Sequence, residues 1–255
     1  MSSLEARLLP SNDFPYGEGI FETFPAANGV PVFFEEHWER LKNSSLYFRY
    51  SFPFDPLDVF KKIRASISSA QIRGIRLTYK PNSGLIFQIL EQKELPKEWK
   101  LVVSVDKPHP LASHKITDRA HYEDLWKKAF QEGCQDMLMV SDEGRILETT
   151  RANIFMFAKG KLITPLANGK ILPGIARLKV IQQAAHSGIP VEEREIILEE
   201  LSNADLFFVT NSLIGIAPVQ EIKSFWIGEK QLTSLTCKLK ILAEPFLLPP
   251  LNLSD

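Results

Sequence analysis

Leu147-Glu148-Thr149-Thr150-Arg151-Ala152-Asn153-Ile154-Phe155 is the stretch whose reading decides the fold. Glu148 alternates with Ile146 along a run of strand character, so both side chains point to one face. A carboxylate on an apolar neighbour's face is costly without a partner, whereas opposite a protonated nitrogen it is compensated. Periodicity alone also allows a polar residue on the exposed face of a hairpin. The surroundings are β throughout. Residues 137–141 and 145–150 flank Asp142-Glu143-Gly144, and 153–158 and 161–164 flank Lys159-Gly160. Turn signals between such runs predict an antiparallel meander.

Toward the C-terminus, Pro173-Gly174 opens a helix expected over 174–186. Strands follow over 206–210 and 214–222, then a strand–helix piece. Toward the N-terminus, a helix is expected from about residue 118, capped by Thr117 and stopped near Gly133, with Tyr122, Leu125, Trp126 and Ala129 as its apolar stripe. The first half reads as a hairpin, 19–24 and 30–34, about Asn28-Gly29. Phe34, Trp38, Leu41 and Ser45 at helical spacing give a helix over 35–47, and 57–70 a second one. Strands over 72–79, 84–91 and 100–105 complete that half. Asp106-Lys107-Pro108-His109-Pro110 cannot be helical, because each proline pushes its predecessor out of the α region. The domain boundary is placed there: a small α/β domain over 1–107 and a larger one over 108–255. Strands and helices mix without strict alternation, which favours two mixed α+β domains over a doubly wound sheet.

The chain of 255 residues is long enough for a substantial core. A net charge of −1 gives no basic surface for nucleic acid or anionic membrane. Cys134 and Cys237 are too few for a disulfide scaffold and suit a reducing compartment. The start, Met1-Ser2-Ser3-Leu4-Glu5-Ala6-Arg7, lacks the apolar core of a signal peptide. The apolar stretches 206–219 and 241–251 are short and interrupted, so neither is expected to span a membrane. A soluble cytoplasmic protein is expected. His109, His114 and His121 have no metal-ligand spacing, and no metal is assigned.

Four further segments could carry chemistry. Lys115 lies in Ser113-His114-Lys115-Ile116-Thr117-Asp118-Arg119, just before a helix start; a helix N-terminus and burial would both lower its pKa. A neutral amine can form an imine and move protons, whereas the plain alternative is a solvated surface charge. Ile171-Leu172-Pro173-Gly174-Ile175-Ala176-Arg177 puts glycine at a helix start, where free N–H groups attract phosphate; it equally reads as an ordinary turn. Asn211 and Ser212 interrupt an apolar run, either facing a polar ligand or forming a satisfied pair at a strand bend. Arg40 either pairs with Glu36 at i,i+4 or offers its fork to a phosphate dianion. An amine, a carboxylate, an anion cradle and a hydroxyl are the inventory that pyridoxal phosphate needs.

The order and surroundings of these segments resemble, from about Tyr16 to Val219, the fold-type IV pyridoxal-phosphate family. That family holds branched-chain and D-amino-acid aminotransferases and aminodeoxychorismate lyase. The resemblance implies a two-domain D-amino-acid-aminotransferase-like fold, pyridoxal 5'-phosphate as cofactor, a small-molecule substrate and a homodimer. It makes Lys115, with Arg119 four residues on, the lysine that holds the cofactor and moves protons. It makes Glu148, in the E-x-x-x-x-N-hydrophobic-F context with Asn153, the partner of the pyridine nitrogen. Phosphate contacts are implied for Arg40 of His37-Trp38-Glu39-Arg40-Leu41, for the turn from Leu172 through Gly174 to the amides of Ile175 and Ala176, and for Asn211 and Ser212. Ala176 stands where branched-chain enzymes often carry threonine. Tyr16, Phe21 and Thr23 of Tyr16-Gly17-Glu18-Gly19-Ile20-Phe21-Glu22-Thr23 match positions lining the substrate pocket, and Thr23 resembles the lyase hydroxyl. Arg76 either binds a substrate carboxylate or snorkels from a strand edge. The compact length, the run from Lys115 through Arg119 to Tyr122, and Thr210-Asn211-Ser212-Leu213-Ile214-Gly215-Ile216 look more like lyase members. The activity implied is release of pyruvate from aminodeoxychorismate to give 4-aminobenzoate, a folate precursor. The rivals are a class IV aminotransferase acting on branched-chain or D-amino acids, and a non-catalytic binding relative, against which the presence of both Lys115 and Glu148 argues.

Overall fold

A computed structural model of the chain describes residues 5–8, 19–67, 73–90, 98–228 and 233–246. They form a mixed α/β structure of two compact units, the first drawn from 1–94 with 114–119 and the second from 95–113 with 120–247.

The first unit holds a five-stranded sheet of β1 (Glu5–Leu8), β2 (Ile20–Ala27), β3 (Val30–Pro31), β4 (Arg73–Lys80) and β5 (Gly84–Leu90), in the order β1-β5-β4-β2-β3. The β2–β3 turn is the Asn28-Gly29 turn that the sequence predicts, both residues having positive φ (52° and 75°). The returning strand stops at Pro31, short of the expected 34. Phe33 takes a left-handed conformation (φ 54°) and starts α1 (Phe34–Tyr47). Helix α2 (Pro56–Ser66) opens on an Asp55 cap that accepts from the Asp58 N–H, and it ends before the expected residue 70. Both helices pack on one face of the sheet. Phe34, Trp38 and Leu41 of α1 and Val59 and Ile63 of α2 meet Ile20, Phe24, Ile75, Leu77 and Phe87. Those strand residues alternate, so Phe21, Thr23, Arg76, Thr78, Ile86 and Gln88 belong to the opposite face.

The second unit is built on β6 (Trp99–Val105), β7 (Asp136–Val140), β8 (Ile146–Thr149), β9 (Asn153–Ala158), β10 (Lys161–Thr164), β11 (Val191–Glu193), β12 (Leu206–Asn211), β13 (Gly215–Ile222) and β14 (Trp226–Ile227). The order is β11-β10-β9-β12-β13-β6-β7-β8, with β14 on β13. Helices α3 (Ala120–Gln131), α4 (Ile175–His186) and α5 (Thr233–Ala243) belong to it. The hairpins β7–β8 and β9–β10 both form, but not as one meander: β9 pairs with β12. Tyr122, Leu125 and Ala129 of α3 cover Met137, Met139 and Leu147. Val180 and Ala184 of α4 cover Phe155, Phe157 and Phe208. The intervening residues Leu138, Val140, Ile154, Met156, Phe207 and Val209 fill a second core, which is why these strands are apolar on both faces.

Two expectations change. The boundary placed at 107/108 separates β6 from its sheet, because β6 pairs in parallel with β7 and β13. The expected Thr117 cap is absent. Residues 114–119 return to the first unit, where Thr117 N–H donates to the Gly19 carbonyl, and α3 begins at Ala120. No helix among the described residues is long and apolar enough to cross a membrane.

Candidate active site

In the first unit the Lys115 segment lies along β2. Phe21 N–H donates to the Lys115 carbonyl (2.8 Å), and Ile116 bridges antiparallel to Ile20. The Lys115 Nζ is 4.8 Å from the centre of the Phe21 ring, and the Arg76 guanidinium carbon is 3.7 Å from the same centre. Residue Lys115 keeps some solvent access, yet its amine is deep enough for burial to be the largest influence on it. Burial, then Arg119, Arg40 and Arg76, lower its pKa to about 7; Glu22 opposes them. The expected helix-terminus effect is not the cause, since α3 starts five residues later. Thr23 sits opposite Arg76 in the β2–β4 register, so Phe21, Thr23 and Arg76 share a face. A pocket of about 190 Å³ opens there, lined among the described residues by Arg76, Thr78, Lys80, Ser83, Ile86, Gln88 and Thr117. Burial and Arg119 lower Arg76 to about 9. Tyr16 lies outside the described residues.

Beneath this face the structure adds two groups that the sequence reading did not single out. Glu22 and His37 are each 1% exposed. Arg40 donates through Nε to Glu22 Oε1 (2.7 Å) and through Nη2 to Oε2 (2.6 Å), and His37 Nδ1 lies 2.6 Å from Oε2. A carboxylate only accepts, so His37 carries its proton on Nδ1. Burial raises the Glu22 carboxyl, but Arg40 and His37 together outweigh it and hold it at about 2. Arg40 thus donates to Glu22, across 18 residues of sequence, whereas the sequence weighed Glu36 at i,i+4 or a phosphate. The signal was available: Glu22 shares its parity with Ile20 and Phe24, both core residues.

In the second unit a tight turn brings Glu148 and Asn153 side by side. Thr149 N–H donates to the Ala152 carbonyl, and Ala152 N–H donates back to Thr149 Oγ1. Buried Asp136 fastens the turn from below, accepting on Oδ1 from the Thr150 hydroxyl and from the Met137 and Thr150 N–H groups. Glu148 is buried, and its two oxygens are held apart: Oε2 accepts from Asn153 Nδ2 (3.0 Å) and Oε1 from Leu172 N–H (3.1 Å). Asn153 Nδ2 also donates to the Leu172 carbonyl. Leu172 therefore orients the carboxylate through its backbone. Gly174 is the N-cap of α4 and makes no side-chain cap bond, so the Ile175 and Ala176 amides begin the helix without an intrahelical partner.

A Cβ on Gly174 would overlap Asn153 Oδ1, and that side chain is already fixed by two hydrogen bonds. Gly174→Ala should therefore cost about 1–3 kcal/mol as overpacking and disturb the Glu148 orientation. Denaturant unfolding measures it; an unchanged midpoint would show that the turn gives way freely.

Asn211 is held in the turn after β12. Its Oδ1 accepts from the Leu213 and Ile214 N–H groups and its Nδ2 donates to the Arg151 carbonyl, closing the β12–β13 turn. Ser212 stands in that turn, half-buried.

The sequence model described as amino-transferase class IV matches residues 19–222. A candidate branched-chain-amino-acid aminotransferase of Thermotoga maritima is 30% identical, over 90% of this chain and 86% of its own length. The aminodeoxychorismate lyase of Bacillus subtilis is 28% identical over 90% and 86%. Among solved structures, a candidate 4-amino-4-deoxychorismate lyase of Legionella pneumophila superposes with a TM-score of 0.80 at 26% identity, covering 94% of this chain and 99% of its own.

Proposed function

We propose that this chain, which belongs to the amino-transferase class IV family, is a pyridoxal-phosphate-dependent 4-amino-4-deoxychorismate lyase. One observation carries the choice of substrate. The pocket on the sheet face that carries Phe21, Thr23 and Arg76 is lined, among the described residues, by Arg76, Lys80, Thr78, Ser83, Gln88 and Thr117, with Ile86 as its apolar member. Aminodeoxychorismate carries two carboxylates, and such a lining suits a dianion. A branched-chain side chain offers these polar groups no hydrogen bond or charge of its own.

The residues present fit pyridoxal phosphate. Lys115 offers an amine whose pKa of about 7 makes it available as a nucleophile and base. Glu148 offers a carboxylate held in one orientation by Asn153 and Leu172. Arg40 and the Ile175 and Ala176 amides are the groups for the phosphate, with Ser212 beside them in the family pattern. When bound, the cofactor supplies the electron sink that makes the substrate's C4 proton acidic.

With the cofactor bound, Lys115 would hold it through Nζ and would be the base for the substrate's C4 proton. Glu148 would hold the proton on the ring nitrogen. The C3–O bond then breaks; enolpyruvate leaves with the electron pair, takes up a proton and becomes pyruvate, and the ring becomes aromatic. Thr23, on the face of Phe21 and Arg76, would be the hydroxyl for the departing oxygen, and Arg76 the cation for a substrate carboxylate. A homodimer in the cytoplasm completes the reading.

The Thermotoga relative favours a second reading, an aminotransferase using the same cofactor residues. A lyase needs one substrate, whereas a transaminase needs a 2-oxo acid to regenerate its cofactor. Purified protein loaded with cofactor should release pyruvate and 4-aminobenzoate in equal amounts from aminodeoxychorismate with no 2-oxo acid added. Rapid turnover of leucine or D-alanine with 2-oxoglutarate, and no aminobenzoate, would overturn the lyase reading.

A further inference from the structure

The charged groups that act on the Lys115 amine are Arg119, Arg40 and Arg76, with Glu22 as the anion among them. His37 faces the same cluster; burial lowers its pKa and keeps the ring neutral at Glu22's side. Glu22 lies on the core face of β2, next to Phe21, whose N–H holds the Lys115 carbonyl. A carboxylate 1% exposed is costly to bury unless several donors meet it. Here three do: two from Arg40 and one from His37. Nothing in the reaction touches Glu22, yet the arrangement spends a buried anion on this spot.

We propose that Glu22 is a positioning residue for the Lys115 amine: its carboxylate fastens Arg40 and His37 in one arrangement and supplies the negative charge that balances the guanidinium cluster around Lys115. The proposal rests on the reading of Lys115 as the reactive amine. Two consequences have opposite signs. Loss of the Glu22 charge leaves the cations unbalanced, so the ammonium form of Lys115 becomes harder to hold and its titration midpoint falls. A merely structural role predicts the reverse, because a loosened fold exposes Lys115 and its midpoint rises toward that of an ordinary lysine.

The test uses the full chain freed of cofactor. Trace acetic anhydride labels amines only when they are neutral, and mass spectrometry of the Lys115 peptide across pH gives the midpoint. The wild-type midpoint is expected near 7. Glu22→Gln should lower it by about one pH unit, and Glu22→Asp, which keeps the charge, should largely restore it. A low wild-type midpoint that Glu22→Gln leaves in place or raises overturns the role of Glu22 alone. A wild-type midpoint in the ordinary lysine range overturns the reading of Lys115 as well. Should Glu22→Gln not fold, Arg40→Gln is compared with the double variant Glu22→Gln/Arg40→Gln, which buries a neutral pair. Their difference isolates the Glu22 charge; a lower midpoint in the double variant supports the proposal, and equal midpoints overturn it.

Discussion

Lys115→Ala is expected to lower turnover by about 10³-fold or more while the protein stays folded. On the proposed reading the amine has two duties, holding the cofactor and carrying a proton, and alanine can do neither. Stability should hold or rise. A buried amine among Arg119, Arg40 and Arg76 is a strained charge distribution, and its removal relieves repulsion without opening a polar vacancy. Three measurements separate the chemical from the structural loss. Thermal melting reports the fold. Borohydride treatment of cofactor-loaded wild-type protein should fix the cofactor mass on the Lys115 peptide and on no other, and the alanine variant should gain no such label. Added methylamine should return part of the lost rate, because a small free amine can enter where the side chain was. A labelled peptide that carries a different lysine would remove Lys115 from its role.

The sequence offered candidates for the reactive groups but left their supports hidden. Lys115 and Glu148 are singled out by the family resemblance; on residues alone Lys115 equally reads as a solvated loop charge and Glu148 as a polar residue on an exposed hairpin face. Their partners could not be read in the same way. Glu148 is oriented by the backbone N–H of Leu172, 24 residues on, and a main-chain donor has no side-chain signature. Arg40 reads in sequence as a partner of Glu36 or of a phosphate, while Glu22, the carboxylate it donates to, lies on another element. The same limit misplaced β6. Alternation marks 100–105 as a strand but does not say which sheet it joins, and the parallel β6–β7 pairing is closed by a crossover through α3. Thr117 read as a cap because threonine before aspartate is a start signal. Its N–H went to Gly19 instead, and the helix began three residues later. Asn211 is open to two readings in sequence, a ligand contact or a satisfied residue at a strand bend, and its Oδ1 accepts from the Leu213 and Ile214 N–H groups of the turn itself.

Glu148→Gln should retain the cofactor and lose turnover by about 10²-fold. The carboxylate has an acceptor for each neighbour, Oε2 for Asn153 Nδ2 and Oε1 for Leu172 N–H. Glutamine has a single oxygen, so one of those donors must face an NH2 group. Turning the Asn153 amide over does not rescue the pair, because its oxygen would then oppose the Leu172 carbonyl that its Nδ2 now binds. Stability should therefore fall by about 1–3 kcal/mol, read from denaturant unfolding. The catalytic loss has a separate origin: a neutral amide cannot hold a proton on the ring nitrogen, and without that proton the ring draws electrons poorly. The groups assigned to phosphate, Arg40 and the Ile175 and Ala176 amides, are untouched, so cofactor affinity should change little while kcat falls. Glu148→Asp keeps the charge at a shorter reach and should recover part of kcat, though its own bond to Leu172 is strained. A glutamine variant with full kcat would place the ring nitrogen elsewhere and return Glu148 to the structural role of bracing the Leu172 turn.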